Sequence, residues 1–211
     1  SKTVPARYSV GATARAQVRP TAPVDTPKSD SKFERLLRSR EKWVLIGEMN
    51  PPDGVELDKF KRLGQSLSKI VDVASVTEHP SARNHMSSLP AAASLEAVGV
   101  ETIATFTCRD RNRIALQGDL LGASALGVKN VLLVTGNHMV VGDHPDAKPV
   151  FDMESVNLIR LAKRLRDEGT YASGRELESR PRIFLGGAAG PFAPPRGDRP
   201  TRTIKKFTAG V

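Results

Sequence analysis

The sequence predicts an α/β fold of the (β/α)8 barrel type, represented by about five βα units. Five short apolar runs alternate with segments whose apolar residues recur at helical spacing. The runs are continuously apolar, which is typical of parallel strands covered on both faces. Polar or Gly-Pro clusters such as "GEMNPP", "TCRDRNR" and "VTGNH" follow almost every run. A barrel gathers loops from many strands in this way, whereas a doubly wound sheet uses one switch point, often with a G-x-G-x-x-G turn that this first strand lacks.

The first half of the predicted barrel contains three helices and two strands. The first helix, 31–42, places Phe33 and Leu37 on one face and offers Ser31 as its N-cap. A buried strand follows, then a helix with regularly spaced apolar residues, a second apolar strand and a helix entered around Pro90. These four elements are predicted over 43–48, 55–67, 71–77 and 86–100.

The second half contains three strands and three helices. The runs "TIATFT", "NVLLVT" and "RIFLGG" are the strands, predicted over 102–107, 130–135 and 182–187. The helices between and after them are predicted over 112–128, 153–169 and 201–210. The last two end at Gly169 and Gly210, since glycine is the common residue after a helix C-terminus.

The positive charge is concentrated at the two ends of the chain. Net charge is +9. Residues 1–40 carry nine Lys/Arg and three Asp/Glu, residues 171–211 carry eight and three, and the central 41–170 carries fifteen and seventeen. A nucleic-acid protein more often has a basic stripe interleaved with aromatics, and aromatics are 5% here. We therefore expect no nucleic-acid partner.

Composition also predicts the organisation of the chain and its compartment. Residues 1–31 mix Pro, Ala, Thr, Ser and Arg without an apolar period, which predicts a disordered basic tail or linker before a domain over 32–211. A transit-peptide remnant is the less favoured alternative. The first residue is Ser, which suggests a processed product or a fragment. The single cysteine fits a reducing, cytoplasmic compartment, and no apolar run approaches the ~20 residues of a membrane helix.

Two candidate sites at strand ends are each open to a structural explanation. Glu48 follows an apolar strand, where partial desolvation would suit a carboxyl group to proton transfer, or it has simply reached solvent. Arg109, Arg111 and Arg113 lie at a strand-to-helix junction, where they could bind a phosphate or carboxylate. In the alternative, Asp110 caps the helix and the arginines are solvated.

Two further polar clusters lie on the last helix and on the loop after the fourth strand. Arg202, Lys205 and Lys206 form a basic helical edge suited to a pyrophosphate, although such runs are commonly solvated. The loop holds His138 and His144 with nearby aspartates, but their spacing matches no established zinc pattern. We therefore expect no metal site.

Taken together, these segments resemble the methylenetetrahydrofolate reductase family. "GEMNPP" is similar to the E-x-x-P-P motif of the family's first strand. "TCRDRNRIALQGDLLGASALGVKNVLLVTGNH", followed by "GDHPDAKPVFDMES", resembles the bacterial, acetogen-like members. "GGAAGPF" and "IKKFTAG" continue in the family's order, so the resemblance extends from Phe33 to the C-terminus.

The resemblance implies a barrel that holds FAD at the C-terminal ends of its strands. The implied reaction is reduction of 5,10-methylenetetrahydrofolate to 5-methyltetrahydrofolate, with NADH, NADPH or an electron-transfer partner as donor, in one-carbon metabolism and methionine biosynthesis. Glu48 matches the family's catalytic acid. Thr77 and Gly136 match flavin contacts, the basic residues of the last helix match the pyrophosphate contact, and Phe151 and Asp152 match the adenosine side. The matching cofactor-binding positions are Thr77, Thr105, Gly136, Asn137, Phe151, Asp152, Arg202, Lys205 and Lys206.

The chain departs from the family pattern at three places. Asn137 stands where the family carries an aspartate facing the flavin, and Thr105 where many members have His or Gln. The sequence stops at "TAGV", before the expected sixth strand. We therefore expect a fragment, a degenerate homologue, or a module that forms homo-oligomers or is completed by a partner subunit. A non-catalytic subunit of a methyl-transfer or electron-transfer assembly is the alternative function.

Overall fold

The computed structural model describes residues 28–192 and 195–211, which form one parallel sheet of five strands with six α-helices. The sheet order is β1-β2-β3-β4-β5. The elements, in chain order, are α1 Lys32–Ser39, β1 Ile46–Met49, α2 Leu57–Leu67, β2 Val73–Val76, α3 Ser88–Glu96, β3 Thr102–Thr107, α4 Arg113–Ala125, β4 Asn130–Val134, α5 Ser155–Lys163, β5 Phe184–Gly187 and α6 Arg199–Ala209.

The strand order confirms the α/β, barrel-like fold. Each strand pairs in parallel with the strand before it in the chain, and the order never reverses. Because βα crossovers are right-handed, an unreversed order places the crossover helices on one face of the sheet. Helices α2 to α6 accordingly contact one another in chain order. A doubly wound sheet would have helices on both faces, so this arrangement is the winding of a barrel.

The main core lies between the sheet and these helices, on what we call the outer face. Alternate strand residues point to it, among them Phe106 and Leu133, both fully buried. Leu116 and Leu120 of α4 and Ile159 of α5 are also fully buried in the same cluster. The apolar residues that recur at helical spacing are therefore buried against the sheet, as that spacing predicts.

Helix α1 packs on the opposite, inner face of the sheet. Phe33 is buried with Val73 and Ile103, and its ring meets that of Phe184 edge-on at 6.0 Å between centroids. The hydroxyl of Ser31 accepts a hydrogen bond from the Glu34 amide at 2.9 Å, which confirms the predicted cap. Residues 28–31 of the predicted tail thus pack on the body, whereas residues 1–27 lie outside the described part.

The first strand corrects one prediction. The run 43–48 was expected to form a buried strand, but β1 begins at Ile46, and Trp43 is 93% exposed. Within the described residues β1 pairs only with β2, and Ile46 on its inner face is more than half exposed. The outer face of β1 is covered, since Met49 is buried and Gly47 lies against Leu67 of α2, whereas the apolar side chains of Trp43 and Ile46 stay exposed.

The remaining helix predictions hold with shifted ends. The helix expected over 153–169 is α5 continued by a π-helical turn, Arg164–Glu168, and Gly169 ends it with φ +71°. Among the described residues, no helix is both long and apolar enough to cross a membrane.

Candidate active site

A polar cleft of about 390 Å³ opens at the C-terminal ends of β1 to β4. It lies on the inner face, because the strand residues that line it alternate with the core residues of the outer face. The structure brings five of the predicted site residues together here: Glu48, Thr77, Thr105, Gly136 and Asn137. Its lining is completed by Ser75, Glu78, His79, Pro80, Ser81, Thr107, Arg109, Leu132 and Val134.

Glu48 enters the cleft from the edge strand. Its backbone pairs in register with Ser75 of β2, so its side chain shares the inner face with that serine. The residue is exposed, which is the second of the two alternatives left open by the sequence. The reason is the position of β1 at the edge of the sheet, where no described element shields this face.

The loop after β4 lies directly against the end of β3. Gly136 has φ +92°, a conformation that favours glycine, and an added Cβ would lie 3.1 Å from the Cβ atoms of both Thr107 and Arg109. A side chain at this position would therefore push the loop away from the strand. Asn137 follows at the wall of the cleft.

Arg109 is a buried cation at the floor of the cleft. Its Nε and Nη2 donate to the two carboxylate oxygens of Asp110 at 2.7 and 2.8 Å, and Thr107 Oγ1 donates to Asp110 at 3.0 Å. Burial alone would raise the pKa of Asp110, but the hydrogen bonds from Arg109 and Thr107 outweigh it and hold that pKa below its usual value. Arg109 and Asp110 are therefore both charged, and their opposite charges balance each other within the site.

The loop after β2 contributes a fixed histidine. Nδ1 of His79 accepts a hydrogen bond from the His85 amide at 3.2 Å, and its Nε2 lies 3.4 Å from a carboxylate oxygen of Glu78. Burial is the main cause that lowers the pKa of His79, which favours the neutral ring. Glu78 is itself buried and accepts from the Ser88 amide, at the start of α3, at 2.6 Å.

The three arginines after β3 follow neither of the alternatives drawn from sequence. Each is bound by protein carboxylates: Arg109 by Asp110, Arg111 by Glu78 and Asp119, and Arg113 by Asp152. The cap of α4 is Asn112, whose side chain accepts from the amides of Ile114 and Ala115, and not Asp110. Their ion pairs therefore join the segments that follow β2, β3 and β4.

Phe151 and Asp152 do not line the cleft. The Phe151 ring stacks on His138 at 6.3 Å between centroids, and its amide donates to the Cys108 carbonyl at 3.1 Å. Asp152 accepts from the Arg113 guanidinium at 2.7 and 2.8 Å and from its amide at 2.9 Å, at the start of α4. The partner of Asp152 in the structure is therefore Arg113, outside the cleft.

This ion pair gives a pH-dependent prediction for stability. The side-chain hydrogen bonds from Arg113, and then the bond from its amide, lower the pKa of Asp152 to about 2. That lies below the ~3.9 of an unfolded chain, so the stabilisation is complete above pH ~4 and disappears as the pH falls through about 2. Asp152→Asn should cost about 1 kcal/mol or less at pH 6, the range of solvent-screened pairs, and nothing near pH 2.

The measurement is the unfolding midpoint in urea of both proteins from pH 2 to 7. Asp146→Asn, in the exposed part of the same loop, is the control and should leave the midpoint unchanged throughout. A difference for Asp152→Asn that stays constant across the series would contradict the role given to the ion pair.

A second, basic pocket lies beside the cleft, at the ends of β4 and β5. The three predicted residues Arg202, Lys205 and Lys206 line it, so α6 directs this edge towards the strand ends. Lys206 Nζ donates to the Ala188 carbonyl, and burial is the main cause that lowers its pKa. Thr135, next to Gly136 in the chain, also lines this basic pocket, so the pocket and the cleft share the loop after β4.

In the described loop after β4, the predicted histidines are not part of a cluster of potential metal ligands. Three other residues do form such a cluster. His138 accepts a local hydrogen bond from the Val140 amide. Potential ligand atoms of Glu78, His79 and Asp110 lie within 4.8 Å of one another. Both of these carboxylates are already neutralised by arginines, which disfavours a cation there.

Sequence reasoning missed several residues of the cleft. Ser75 and Thr107 could have been found, because they have the strand parity of Thr77 and Thr105. The burial of Arg109 and the fixed orientation of His79 depend on contacts between loops and carry no local signal.

A comparison with protein families matches the part of the chain that contains the cleft. The family model described as methylenetetrahydrofolate reductase matches residues 32–174. The match spans α1 to α5 and every residue that lines the cleft. The segment after β5 and helix α6, which together contribute eight of the twelve residues that line the basic pocket, follow it.

Proposed function

Because the chain belongs to the methylenetetrahydrofolate reductase family, we propose that it reduces 5,10-methylenetetrahydrofolate to 5-methyltetrahydrofolate in the cytoplasm, with bound FAD. The single observation that carries the proposal is the cleft at the C-terminal strand ends, where Glu48 faces the loop of Gly136 and Asn137. A proton donor and an adjoining opening that can hold the flavin and the folate are the two features that this reduction requires of the protein.

The residues present fit a flavin. The Gly136 backbone packs closely on the end of β3 and lines the cleft, and Thr77 and Thr105 line the cleft beside it with their hydroxyl-bearing side chains. The adjoining basic pocket offers ammonium and guanidinium groups suited to a pyrophosphate. The chemistry supplied by a bound flavin is hydride transfer from NADH or NADPH to the methylene carbon of the folate.

Glu48 is the proton donor in this proposal. Its carboxyl group protonates N10 of the folate, the bond from N10 to the methylene carbon breaks, and the resulting iminium, with its carbon still bound to N5, accepts the hydride at that carbon. A ligand that covers the exposed carboxyl group would exclude water from it.

Asn137 sets the electrostatics of the cleft near the flavin. An asparagine keeps the hydrogen bonding of the family's aspartate but removes its negative charge. Without that anion a bound flavin is easier to reduce and the folate ring is held less selectively. The chain is therefore expected to accept electrons readily and to discriminate folates less strictly.

The direct test is reconstitution of the purified protein with FAD. We expect a yellow protein whose flavin is reduced by NADH or NADPH, or by dithionite under anaerobic conditions, and reoxidised on addition of methylenetetrahydrofolate. A protein that stays colourless with FAD and does not consume the folate would overturn the proposal.

The basic pocket provides a prediction about cofactor identity. In the double variant Lys205→Ala/Lys206→Ala the dissociation constant for FAD should rise at least about 100-fold, since each of the two lost charge-assisted hydrogen bonds contributes about 1.5–3 kcal/mol. Binding of riboflavin, which has no pyrophosphate, should be unchanged. Flavin fluorescence titration measures both, and Lys59→Ala on exposed α2 is the control. Equal weakening of both flavins would show that the pocket does not hold the pyrophosphate.

A second function, binding of a partner polypeptide without catalysis, is favoured by exposed apolar side chains. Trp43 at the β1 side is 93% exposed and Phe207 of α6 is 75% exposed. A second copy or a separate subunit that covered these two sides would complete the barrel. Light scattering distinguishes the cases: a defined oligomer or stoichiometric complex supports partner binding, and a monodisperse monomer contradicts it.

A further inference from the structure

Arg109 is a deeply buried cation at the floor of the cleft. It is 2% exposed, and it lies two residues after the end of β3, the strand in the middle of the five. A buried guanidinium costs free energy unless its charge is balanced and its N–H groups have partners. The groups that the guanidinium contacts therefore indicate the role of Arg109.

One edge of the guanidinium is fixed by Asp110. The two groups form a bidentate pair, with Nε–Oδ1 at 2.7 Å and Nη2–Oδ2 at 2.8 Å, and Thr107 holds the same carboxylate. This geometry balances the charge and sets the plane of the group. The third nitrogen, Nη1, is left to point into the space between the loops.

Nη1 lies between two backbone carbonyl groups from different walls of the cleft. It is 3.5 Å from the carbonyl oxygen of His79, after β2, and 3.5 Å from that of Asn137, after β4. β2 and β4 do not pair with each other, since β3 lies between them. Arg109 therefore spans the width of the cleft floor.

The loop after β2 has a conformation that requires support. His79, Ser81 and Ala82 have φ of +41°, +54° and +57°, and left-handed backbone is strained at residues other than glycine. In the loop after β4, Gly136 packs so closely on Arg109 that an added Cβ would lie 3.1 Å from the Arg109 Cβ. The loops also meet at the outer rim, where the Asn84 amide donates to Asp143 at 3.0 Å, but that contact lies outside the cleft lining.

We propose that Arg109 is a positioning residue that sets the separation of the two loop walls of the cleft, and with it the placement of Asn137. Asp110 holds the guanidinium in the plane from which it reaches both carbonyl groups. The inference deepens the proposed function, because the walls that it fixes are those between which the flavin and the folate would bind.

The test is Arg109→Lys, which keeps the positive charge but loses the planar fork. Hydrogen–deuterium exchange of the protein without flavin should show faster exchange in both segments 79–85 and 136–142. Asp110→Asn, which leaves Arg109 in place but weakens its hold, should loosen the same two segments to a smaller extent. The matched control is Arg166→Lys, because Arg166 also forms a bidentate pair with its next neighbour, Asp167, and its side chain is only 7% exposed.

The flavin gives an independent readout. We expect Arg109→Lys to raise the dissociation constant for FAD about tenfold and to shift the absorption maximum of the bound flavin, with riboflavin affected equally. Unchanged exchange in either segment, or equal loosening in Arg166→Lys, would overturn the inference. Because exchange is measured without flavin, a protein that binds no FAD would sink the proposed function and leave this result standing.

Discussion

Glu48→Gln is expected to leave FAD binding unchanged and to slow folate reduction by about 10²- to 10⁴-fold, the usual contribution of a general acid. Glutamine keeps the size and the hydrogen bonding of the side chain but has no proton to give. Because Glu48 is exposed at the edge strand, the substitution removes no buried contact and should not affect folding. The measurement is rapid mixing of the reduced protein with methylenetetrahydrofolate.

Two comparisons make this experiment decisive. Reduction of the flavin by NADH or NADPH in the same variant should keep its rate, since that half of the reaction needs no proton from Glu48. Glu56→Gln, an exposed position that precedes α2 and makes no side-chain cap bond, should behave as the unaltered protein in both halves. Folate turnover near the original rate in Glu48→Gln would show that another group donates the proton.

Gly142→Ala is expected to destabilise the protein by about 1–3 kcal/mol, the cost of forcing an atom into occupied space. An added Cβ would overlap the Ala82 carbonyl oxygen and lie 2.6 Å from its carbonyl carbon. Both atoms belong to backbone, so one of the two rim segments has to move. Ala82 is already in the left-handed region, which leaves it little freedom to adjust.

Gly54→Ala is the matched control, because nothing lies within 4 Å of a Cβ added there. Urea unfolding should therefore distinguish the two alanine variants, with a lower midpoint only for Gly142→Ala. We also expect its flavin affinity to fall, since the rim joins the two loops whose inner ends form the cleft walls. Equal midpoints would mean that the rim adapts without cost.

Much of the fold was predictable from the sequence because burial leaves a local pattern. The run "TIATFT" has the bounds of β3, and Ser31 caps α1 as its position before Phe33 suggested. The failure at β1 has a physical reason: hydrophobicity shows that a segment is suited to burial, and not whether a neighbour covers it. Trp43 and Ile46 are apolar and exposed in the described structure.

The site could be predicted only to the extent that the sequence shows where each strand ends. Parallel order brings the carboxyl ends of the strands to one edge, and this is enough to place Glu48, Thr77 and Gly136 together. The partners of the arginines could not be predicted, because Arg111 binds a carboxylate 33 residues before it and Arg113 one 39 residues after it. Charged side chains of either sign have several candidate partners in sequence, and only the fold selects one.

The unreversed strand order has a consequence for how the chain folds during synthesis. Ile46 pairs with Val73, and Ala74 pairs with Thr102, so each new strand finds its partner in the strand made just before it. Loops of this length close at modest entropic cost, and no strand has to be inserted between two that are already paired. The sheet can therefore lengthen one strand at a time as the ribosome releases it. The strand added last is always the edge strand with which the next strand pairs.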